Sequence, residues 1–259
     1  MTELKLSIDK DVIDEYQGPV PKHIGVIMDG NGRWARERGM MRIRGHHAGA
    51  KTVRTIVESC RYLGCQALTL YAFSAQNWGR PEDEVKGLMS LFDLYIKKER
   101  KTILDNGIQL RVIGKRARLG PKLIKAIEGL EEVSRHNSDM VLQVAVSYGG
   151  REEILRAAKE IARLAKEEDL DLDDINEEMF SSKMYSPDLP DPELIIRTSG
   201  EFRVSNFLTW QSAYSEFYVS DLYWPDFNEQ EFVKGLNSFG GRERRFGKTG
   251  EQVKNEVSS

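Results

Sequence analysis

Short apolar segments alternate with longer segments of helical periodicity along most of the 259-residue chain. The apolar segments predict buried strands over residues 24–28, 67–72, 108–113, 141–146, 194–197 and 214–219. Apolar residues recur at helical spacing from residue 53 to residue 63. Further helices are predicted over residues 82–105, 121–136, 152–167 and 229–238. Because parallel strands need such crossovers, this order predicts a single α/β domain. Its sheet is mainly parallel, has about six strands and is covered by helices on both faces.

Composition agrees with a folded domain and excludes several classes of protein. Hydrophobic residues make up 40% of the chain and charged residues 31%, as in globular proteins. A net charge of −3 argues against nucleic acid as a partner, and no apolar run is long enough to span a membrane. The two cysteines, Cys60 and Cys65, have the spacing of separate buried thiols. We expect a cytoplasmic protein with a flexible leader over residues 1–20 and a flexible tail over residues 248–259.

The sequence DGNGRWA begins at Asp29, directly after the first predicted strand. Gly30 and Gly32 permit a tight turn whose backbone amides can face an anion. Arg33 begins a helical stretch, and helix N-termini favour phosphate. Since Mg²⁺ takes one or two carboxylates together with phosphate oxygens, Asp29 beside this loop predicts a magnesium site. The alternative is an Asx turn with conformational glycines.

The same residues fit the dinucleotide-binding pattern G-x-G-x-x-A. That pattern needs an acid at the end of the second strand, to bind a ribose hydroxyl. The second predicted strand ends near Ala72 and Ser74 without an acid, and Arg42, Arg44 and His46 follow the glycine loop. The loop therefore predicts phosphate binding rather than adenosine binding.

Two further polar clusters follow predicted strands, at the edge where open parallel sheets bind ligands. One extends from Ser74 to Arg80, and the other from Arg197 to Ser205. Arginine can bind phosphate with two hydrogen bonds, and we find no Ser-His-Asp or Cys-His set. The clusters predict a diphosphate substrate neutralised by Mg²⁺. A capping role for the first cluster and surface ion pairs with Glu201 for the second are the alternatives.

Five sequence blocks resemble the cis-prenyltransferase family, in order, over residues 21–247. They read HIGVIMDGNGRWA, RIRGHHAGA, LTLYAFSAQNWGRPEDEV, LIIRTSGEFRVSNFLTWQSAYSEFYVSDLYWPDF and RERRFG. The resemblance implies a catalytic domain that condenses isopentenyl diphosphate successively onto an allylic diphosphate, commonly farnesyl diphosphate, forming Z double bonds. It also implies Mg²⁺, a homodimer, a hydrophobic tunnel between sheet and helices, and transient membrane contact through a lipid product. The G-x-G-x-x-A match is then a coincidence.

The resemblance implies a role for each matching residue. Asp29 matches the essential metal-binding acid, and Glu216 matches a second acid linked to the metal. Asn77 matches the position assigned to the proton acceptor. Because an amide is a weak base, we expect Asn77 to orient a substrate or to relay a proton to phosphate. The remaining matches are substrate-binding residues: Gly30, Asn31, Gly32, Arg33, Trp34, Arg42 and His46 around the allylic diphosphate; Ser74, Ala75, Gln76, Trp78 and Arg80 in the second loop; and Arg197, Arg203, Val204 and Ser205 at the isopentenyl diphosphate site.

The chain departs from the family pattern at two positions, with Gln76 in place of the usual Glu and Ser147 in place of the common Asn. The segment between residues 84 and 113 has no insertion of the kind that very-long-chain members carry. We therefore expect a medium-long product near undecaprenyl length, a precursor of the cell-wall lipid carrier. Ala72 and residues 140–142 are candidates for limiting that length. We expect residues 245–247 to reach the partner subunit's diphosphate site.

Three rival interpretations have specific weaknesses. A catalytically silent subunit would lack key loop residues that this chain has, and an NAD-dependent oxidoreductase would need the missing ribose acid. The acidic stretch from Asp173 to Glu177 resembles the DDxxD motif of all-helical trans-prenyltransferases. It occurs once, at a predicted helix start where acids are favoured. We expect Asp29→Ala to nearly abolish turnover and leave the fold intact, because an acid at a strand end contributes little packing.

Overall fold

A computed structural model describes residues 6–167 and 171–242, which form a six-stranded sheet flanked by helices. The strands are β1 (His23–Ile27), β2 (Ala67–Ser74), β3 (Ile108–Ile113), β4 (Met140–Tyr148), β5 (Leu194–Arg197) and β6 (Glu216–Val219). The helices are α1 (Lys10–Asp14), α2 (Asn31–Glu37), α3 (Arg42–Leu63), α4 (Glu82–Asp105), α5 (Pro121–Ser134), α6 (Gly150–Glu167), α7 (Glu177–Ser182) and α8 (Glu229–Gly240). The predicted single α/β domain is confirmed.

The strands lie in the order β3-β4-β2-β1-β5-β6, and every neighbouring pair is parallel. In this register Ile27 lies beside Tyr71 on one side and Arg197 on the other. The segments that follow β1, β2 and β5 therefore leave the sheet at the same carboxyl edge. These segments contain the three predicted polar clusters.

Alternate strand residues pack against different helical layers, because successive side chains of a strand point to opposite faces. Ile24, Val26 and Leu70 belong to the larger core, together with residues of α3, α4, α5 and α8. Ile27 and Tyr71 belong to a second core on the opposite face. No helix among the described residues has both the length and the apolar composition needed to cross a bilayer.

The N-terminal segment packs on the domain, which differs from the predicted flexible leader. Ile13 of α1 is fully buried in the larger core. The backbone N and the Oγ of Ser7 donate hydrogen bonds of 2.6 and 2.8 Å to the carboxylate of Glu58, which is only 2% exposed. Because the sequence of this segment is mostly charged, it did not predict that α1 buries an apolar side chain in the core. The predicted tail and residues 245–247 lie outside the described residues.

Helix α3 begins at Arg42, well before the periodic residues that predicted it. Two glycines in its first turns conceal the helix from sequence patterns, since glycine costs about 1 kcal/mol in a helix interior. A Cβ atom on Gly45 would lie 1.9 Å from the backbone oxygen of Asn31. Close packing of α3 against α2 explains why glycine occupies this position, and it brings His46 of α3 beside the loop that follows β1.

Candidate active site

A cavity of 360 Å³ lies between the sheet and helices α3 and α4. Much of its wall is apolar, and includes Val53, Val57, Leu88, Phe92, Ile96, Ile103, Leu110 and Leu142. Its polar residues include a group at the carboxyl edge of the sheet: Asp29, Asn31, His46, Ser74, Asn77, Arg80, Arg197 and Ser205. The structure thus brings eight of the predicted site residues to one cavity. This shape and polarity suit a molecule with a charged head and a long apolar tail.

Asp29 is held at the end of β1 by two positively charged residues and a backbone amide. Its Oδ2 accepts a hydrogen bond of 2.9 Å from Nη2 of Arg197, and its Oδ1 accepts one of 2.7 Å from the amide of Gly30. Nη2 of Arg33 lies 3.4 Å from Oδ1. Burial alone would raise the pKa of Asp29, but the hydrogen bonds from Arg197 and Gly30 and the two positive charges outweigh burial and lower it. Asp29 is therefore an ionised carboxylate at neutral pH.

Arg197 is almost completely buried at the end of β5, with 5% of its side chain exposed. Besides Asp29, its guanidinium donates to Oγ of Ser205 at 2.7 Å and to the backbone oxygen of Arg203. The following loop has left-handed backbone at Ser199, Ser205, Asn206 and Leu208, with φ between 43° and 84°. Such non-glycine residues cost on the order of 1–3 kcal/mol each and cluster at functional sites. The loop holds Ser205 against a buried cation at this energetic cost.

Gly30 connects Asp29 to α2 in a conformation that only glycine adopts easily. Its φ is 98°, and a Cβ atom there would lie 2.6 Å from the ring of Tyr223. No side chain caps the N-terminus of α2. The predicted tight turn with a conformational glycine is therefore present at this position.

His46, Arg42 and Arg80 surround a shared acid, Glu84 of α4. Glu84 lies 3.1 Å from Nε of Arg42 and 3.0 Å from Nη1 of Arg80, and 11% of its side chain is exposed. Burial and the positive charges of Arg80 and Arg42 lower the pKa of His46 to about 4. The imidazole is therefore neutral in the free chain. Sequence analysis missed Glu84, because acids in a first helical turn are common for dipole reasons alone.

The loop after β2 is fixed by a reciprocal cap between Ser74 and Asn77. The backbone N of Asn77 donates to Oγ of Ser74 at 3.2 Å, and the backbone N of Ser74 donates to Oδ1 of Asn77 at 3.1 Å. The alternative of a capping role is thus correct for these two residues, and it coexists with their position on the cavity wall. Since Oδ1 is occupied, the side-chain amide group of Asn77 is left as a hydrogen-bond donor.

Two predicted substrate-binding tryptophans are held by protein contacts and are not among the residues lining the cavity. Nε1 of Trp34 donates to Oδ1 of Asp226 at 2.6 Å, and the guanidinium of Arg38 lies 4.4 Å from the Trp34 ring centroid. Nε1 of Trp78 donates to Oγ of Ser147 at 2.9 Å. These indoles position α2 and the second loop. Asp226, which sequence analysis missed, fixes Trp34 across 192 residues of sequence.

Other predicted site residues also lie outside the cavity lining. Gly32 and Arg42 are neighbours beside α2, since a Cβ atom on Gly32 would lie 2.8 Å from the Arg42 guanidinium. Arg203 is exposed and pairs with Glu201, as the alternative of surface ion pairs stated. Gln76 is exposed, and Ala75 and Val204 are half-buried.

Glu216 lies far from Asp29 in the same chain. It is the first residue of β6 and pairs with Leu194, which in turn pairs with Ile24 near the start of β1. Asp29 follows the other end of β1, so the two acids are separated by roughly 15 Å along the strands. The Glu216 carboxylate accepts a hydrogen bond of 2.5 Å from Arg242. The structure does not bring together the predicted pair of metal-binding acids, because β6 is parallel to β1 and Glu216 is at its amino end.

Several buried polar atoms near Asp29 have no hydrogen-bond partner. Among the described residues they include Oδ1 of Asn31, Nε2 of His46, Nε of Arg197 and Oγ of Ser199. Buried polar groups in native proteins are nearly always paired, so unpaired ones call for an explanation such as a missing ligand. In residues 6–167 and 171–242 there is no group of three or more His, Cys, Asp or Glu placed to hold a metal ion.

Comparisons with known proteins agree with the resemblance of the five blocks. A family profile described as "Putative undecaprenyl diphosphate synthase" matches residues 27–247. An isoprenyl transferase of Clostridium perfringens is 48% identical over 239 residues, which cover 92% of this chain and 94% of the relative. A ditrans,polycis-undecaprenyl-diphosphate synthase ((2E,6E)-farnesyl-diphosphate specific) of Aliivibrio fischeri is 48% identical over 234 residues, which cover 90% of this chain and 91% of the relative.

The fold is also similar to that of a solved enzyme. Lavandulyl diphosphate synthase from Lavandula x intermedia, solved in complex with dimethylallyl diphosphate, superposes with a TM-score of 0.86 and 36% sequence identity. The match covers 88% of this chain and 99% of the lavender protein. The sequence comparisons and the structural comparison both find prenyl transferases and prenyl diphosphate synthases.

Proposed function

The chain belongs to the cis-prenyltransferase family, and from this membership we propose its reaction. It condenses isopentenyl diphosphate successively onto an allylic diphosphate, with farnesyl diphosphate as the starter, and forms Z double bonds. The product is a medium-long polyprenyl diphosphate of undecaprenyl length. The observation that carries the proposal is one cavity that combines an apolar wall with unpaired polar atoms and cations at its carboxyl-edge end.

The cationic end fits a diphosphate group. Arg197 and Arg80 line it, and the neutral His46 contributes an unpaired ring nitrogen. Fixed cations aimed at the leaving group stabilise the negative charge that develops as the allylic C–O bond breaks. The apolar wall receives the hydrocarbon tail and keeps water from the carbocation-like centre.

Asn77 fits a role in orienting substrate rather than in accepting a proton. Its Oδ1 already accepts the backbone amide of Ser74, so the group available to a ligand is a donor. A donor at the cavity wall suits a diphosphate oxygen, and an amide is a weak base at any orientation. This supports the interpretation that Asn77 positions a substrate whose own phosphate takes part in proton removal.

Asp29 fits a magnesium ion as a single protein ligand. It is ionised, 30% of its side chain is exposed, and it lies beside the proposed diphosphate position. Mg²⁺ is commonly bound by one or two carboxylates, with substrate phosphates and water completing the shell. When bound, the ion would neutralise diphosphate charge and so favour its departure. The proposed second acid, Glu216, cannot reach the same ion within one chain.

The expected product length draws support from the cavity walls. Ala72 and Leu142, two of the candidates for limiting the length, line the cavity. Met140 is buried but is not part of the lining. We therefore propose Ala72 and Leu142, rather than Met140, as side chains that a growing chain contacts.

Assembly and location are proposed from the family resemblance. We propose a homodimer that works in the cytoplasm and contacts the membrane transiently through its lipid product. Both cysteines are free and buried, as expected for a chain in a reducing compartment. The net charge of −3 gives no reason to add nucleic acid as a partner.

A product assay tests the proposed reaction. The purified full chain is incubated with radiolabelled isopentenyl diphosphate and with dimethylallyl, geranyl or farnesyl diphosphate, with Mg²⁺ or with EDTA. We expect magnesium-dependent addition of several isopentenyl units, fastest from farnesyl diphosphate, with products resolved by reversed-phase chromatography. A single coupling product, or labelled product at the same rate in EDTA, would contradict the proposal. An inactive chain that becomes active only with another protein would indicate a silent subunit.

A further inference from the structure

An ion pair stands in the wall of the cavity, away from the diphosphate end. Arg54 of α3 and Glu99 of α4 both line the cavity. Nε of Arg54 donates to Oε2 of Glu99 at 3.0 Å, and Nη2 donates to Oε1 and Oε2 at 2.6 and 2.7 Å. This fork geometry is the strong form of an arginine–carboxylate contact. The pair connects the two helices that form one side of the cavity.

Its position places it along the path of the hydrocarbon tail. Arg54 follows His46 by two turns of α3, and a rise of 1.5 Å per residue separates them by about 12 Å along the axis. Val57 and Ile103, one turn further along their helices, continue the lining towards Leu110 and Leu142. A tail longer than about 12 Å therefore has to pass the ion pair.

Stability alone does not explain an ion pair in this apolar wall. Arg54 has 36% and Glu99 19% of the side chain exposed. Partly exposed ion pairs contribute on the order of 1 kcal/mol or less, and apolar replacements of similar volume often serve stability as well. An apolar pair would also suit an apolar ligand better. A directional contact between α3 and α4 is what Arg54 and Glu99 offer and apolar side chains do not.

On the diphosphate side of the ion pair, the other polar contacts between these helices are longer. Arg42 and Glu84 are 3.1 Å apart near the diphosphate end, and the hydroxyl of Tyr95 lies 3.4 Å from the backbone oxygen of His47. Ala50 and Val53 of α3 line the cavity between these contacts and the ion pair, and their apolar side chains form no hydrogen bonds. Separation of α3 from α4 at Arg54 would therefore open the side of the cavity.

We propose that the Arg54–Glu99 ion pair closes the side wall of the cavity and so limits the length of the polyprenyl chain, an inference that rests on the proposed function. While the wall is closed, the tail is confined between sheet and helices, and elongation ends when this space is full. With the pair broken, the tail passes between α3 and α4, and elongation continues. The pair thus acts in specificity for product length and takes no part in bond formation.

The test compares product lengths from farnesyl and isopentenyl diphosphates in four variants. Glu99→Gln keeps the side-chain shape but removes the charge, and Arg54→Lys removes the fork. The double variant Arg54→Glu with Glu99→Arg restores an ion pair in reverse. Lys101→Met is the matched control, because it removes an exposed ion pair with Asp105 within α4 without affecting the contact between helices.

We expect Glu99→Gln and Arg54→Lys to shift the main product upward by at least one isopentenyl unit. Product length is read from the distribution of products rather than from the rate, because the pair lies on the path of the tail. The double variant returns the distribution towards the parent, and Lys101→Met leaves it unchanged. Unchanged or shorter products in both single variants, or no recovery in the double variant, would overturn the proposal. If the parent itself adds no successive units, the proposed function fails instead.

Discussion

Replacing Asp29 by Asn tests the electrostatic account of the site through stability as well as activity. Asp29 is the carboxylate that pairs with Arg197 among the described residues, at 2.9 Å. The other acceptors of the Arg197 guanidinium are the neutral Ser205 hydroxyl and the backbone oxygen of Arg203. Asp29→Asn therefore leaves a guanidinium with 5% exposure without a counter-charge.

The expected loss of stability depends on how deeply the side chains of Arg197 and Asp29 are buried. A hydrogen bond to a charged group contributes about 1.5–3 kcal/mol to the free energy of unfolding. Removing one partner of a fully buried ion pair lowers it by about 3–5 kcal/mol, because the other charge stays buried without a partner. Asp29 is 30% exposed, so water compensates part of the loss. We expect the free energy of unfolding to fall by about 2 kcal/mol, which lowers the Tm of a domain of this size by about 4–8 °C.

Urea unfolding and thermal melts followed by circular dichroism, with inorganic diphosphate as a second variable, measure the free energy of unfolding and the Tm. Diphosphate without Mg²⁺ should raise the Tm of Asp29→Asn more than that of the parent, because a bound anion supplies the missing counter-charge. Asp226→Asn is the control, since it removes an ion pair with Arg38 in which both side chains are about 40% exposed, while the amide oxygen can still accept the hydrogen bond from Trp34. Parent-like stability of Asp29→Asn, with the same response to diphosphate, would refute this reasoning and support the expectation from sequence that the acid contributes little to the fold.

Three further predictions concern neighbouring groups. Glu84→Gln should lower kcat/KM for the allylic diphosphate about tenfold, because one amide cannot hold both Arg42 and Arg80; an unchanged value would contradict this. Burial lowers the pKa of His23 to about 4, so the unfolded chain binds a proton that the folded chain does not as pH falls below 6.5. His23 should then lower the free energy of unfolding by up to about 1.4 kcal/mol per pH unit between pH 6.5 and 5, in addition to the contribution of His46, so the slope should be smaller in His23→Gln than in the parent; equal slopes in the two would contradict this. Ser147 is 2% exposed and its Oγ accepts a hydrogen bond from Trp78, so Ser147→Ala should lower the free energy of unfolding by about 1 kcal/mol in a thermal melt; an unchanged value would contradict this role.

The sequence predicted the fold and the strand ends that share one edge of the sheet, because both depend on local patterns. Apolar periodicity located β3 and β5 at their observed bounds. Strand ends then placed Asp29, Asn77 and Arg197 at a common edge, where the structure has them lining one cavity. Parallel topology makes this inference possible before any distance is known.

Features that depend on distant pairings could not be predicted in the same way. Arg197 and Asp29 are 168 residues apart, and nothing local shows that one neutralises the other. The orientation of Trp34 depends on Asp226, and the position of Glu216 depends on which end of β6 it occupies. Sequence patterns identify the residue types of a site, while contacts between remote segments decide which way each side chain points.

The central claim is that diphosphate binds at the Asp29–Arg197 end of the cavity while the hydrocarbon tail lies between the sheet and helices α3 and α4. A crystal structure with Mg²⁺, isopentenyl diphosphate and the unreactive farnesyl thiodiphosphate tests it most directly. We expect the thiodiphosphate beside Arg80 and His46, the ion on Asp29, and the tail running past Arg54 and Glu99. A farnesyl tail lying outside this cavity, or a diphosphate bound without contact to Arg197, Arg80 or His46, would contradict it.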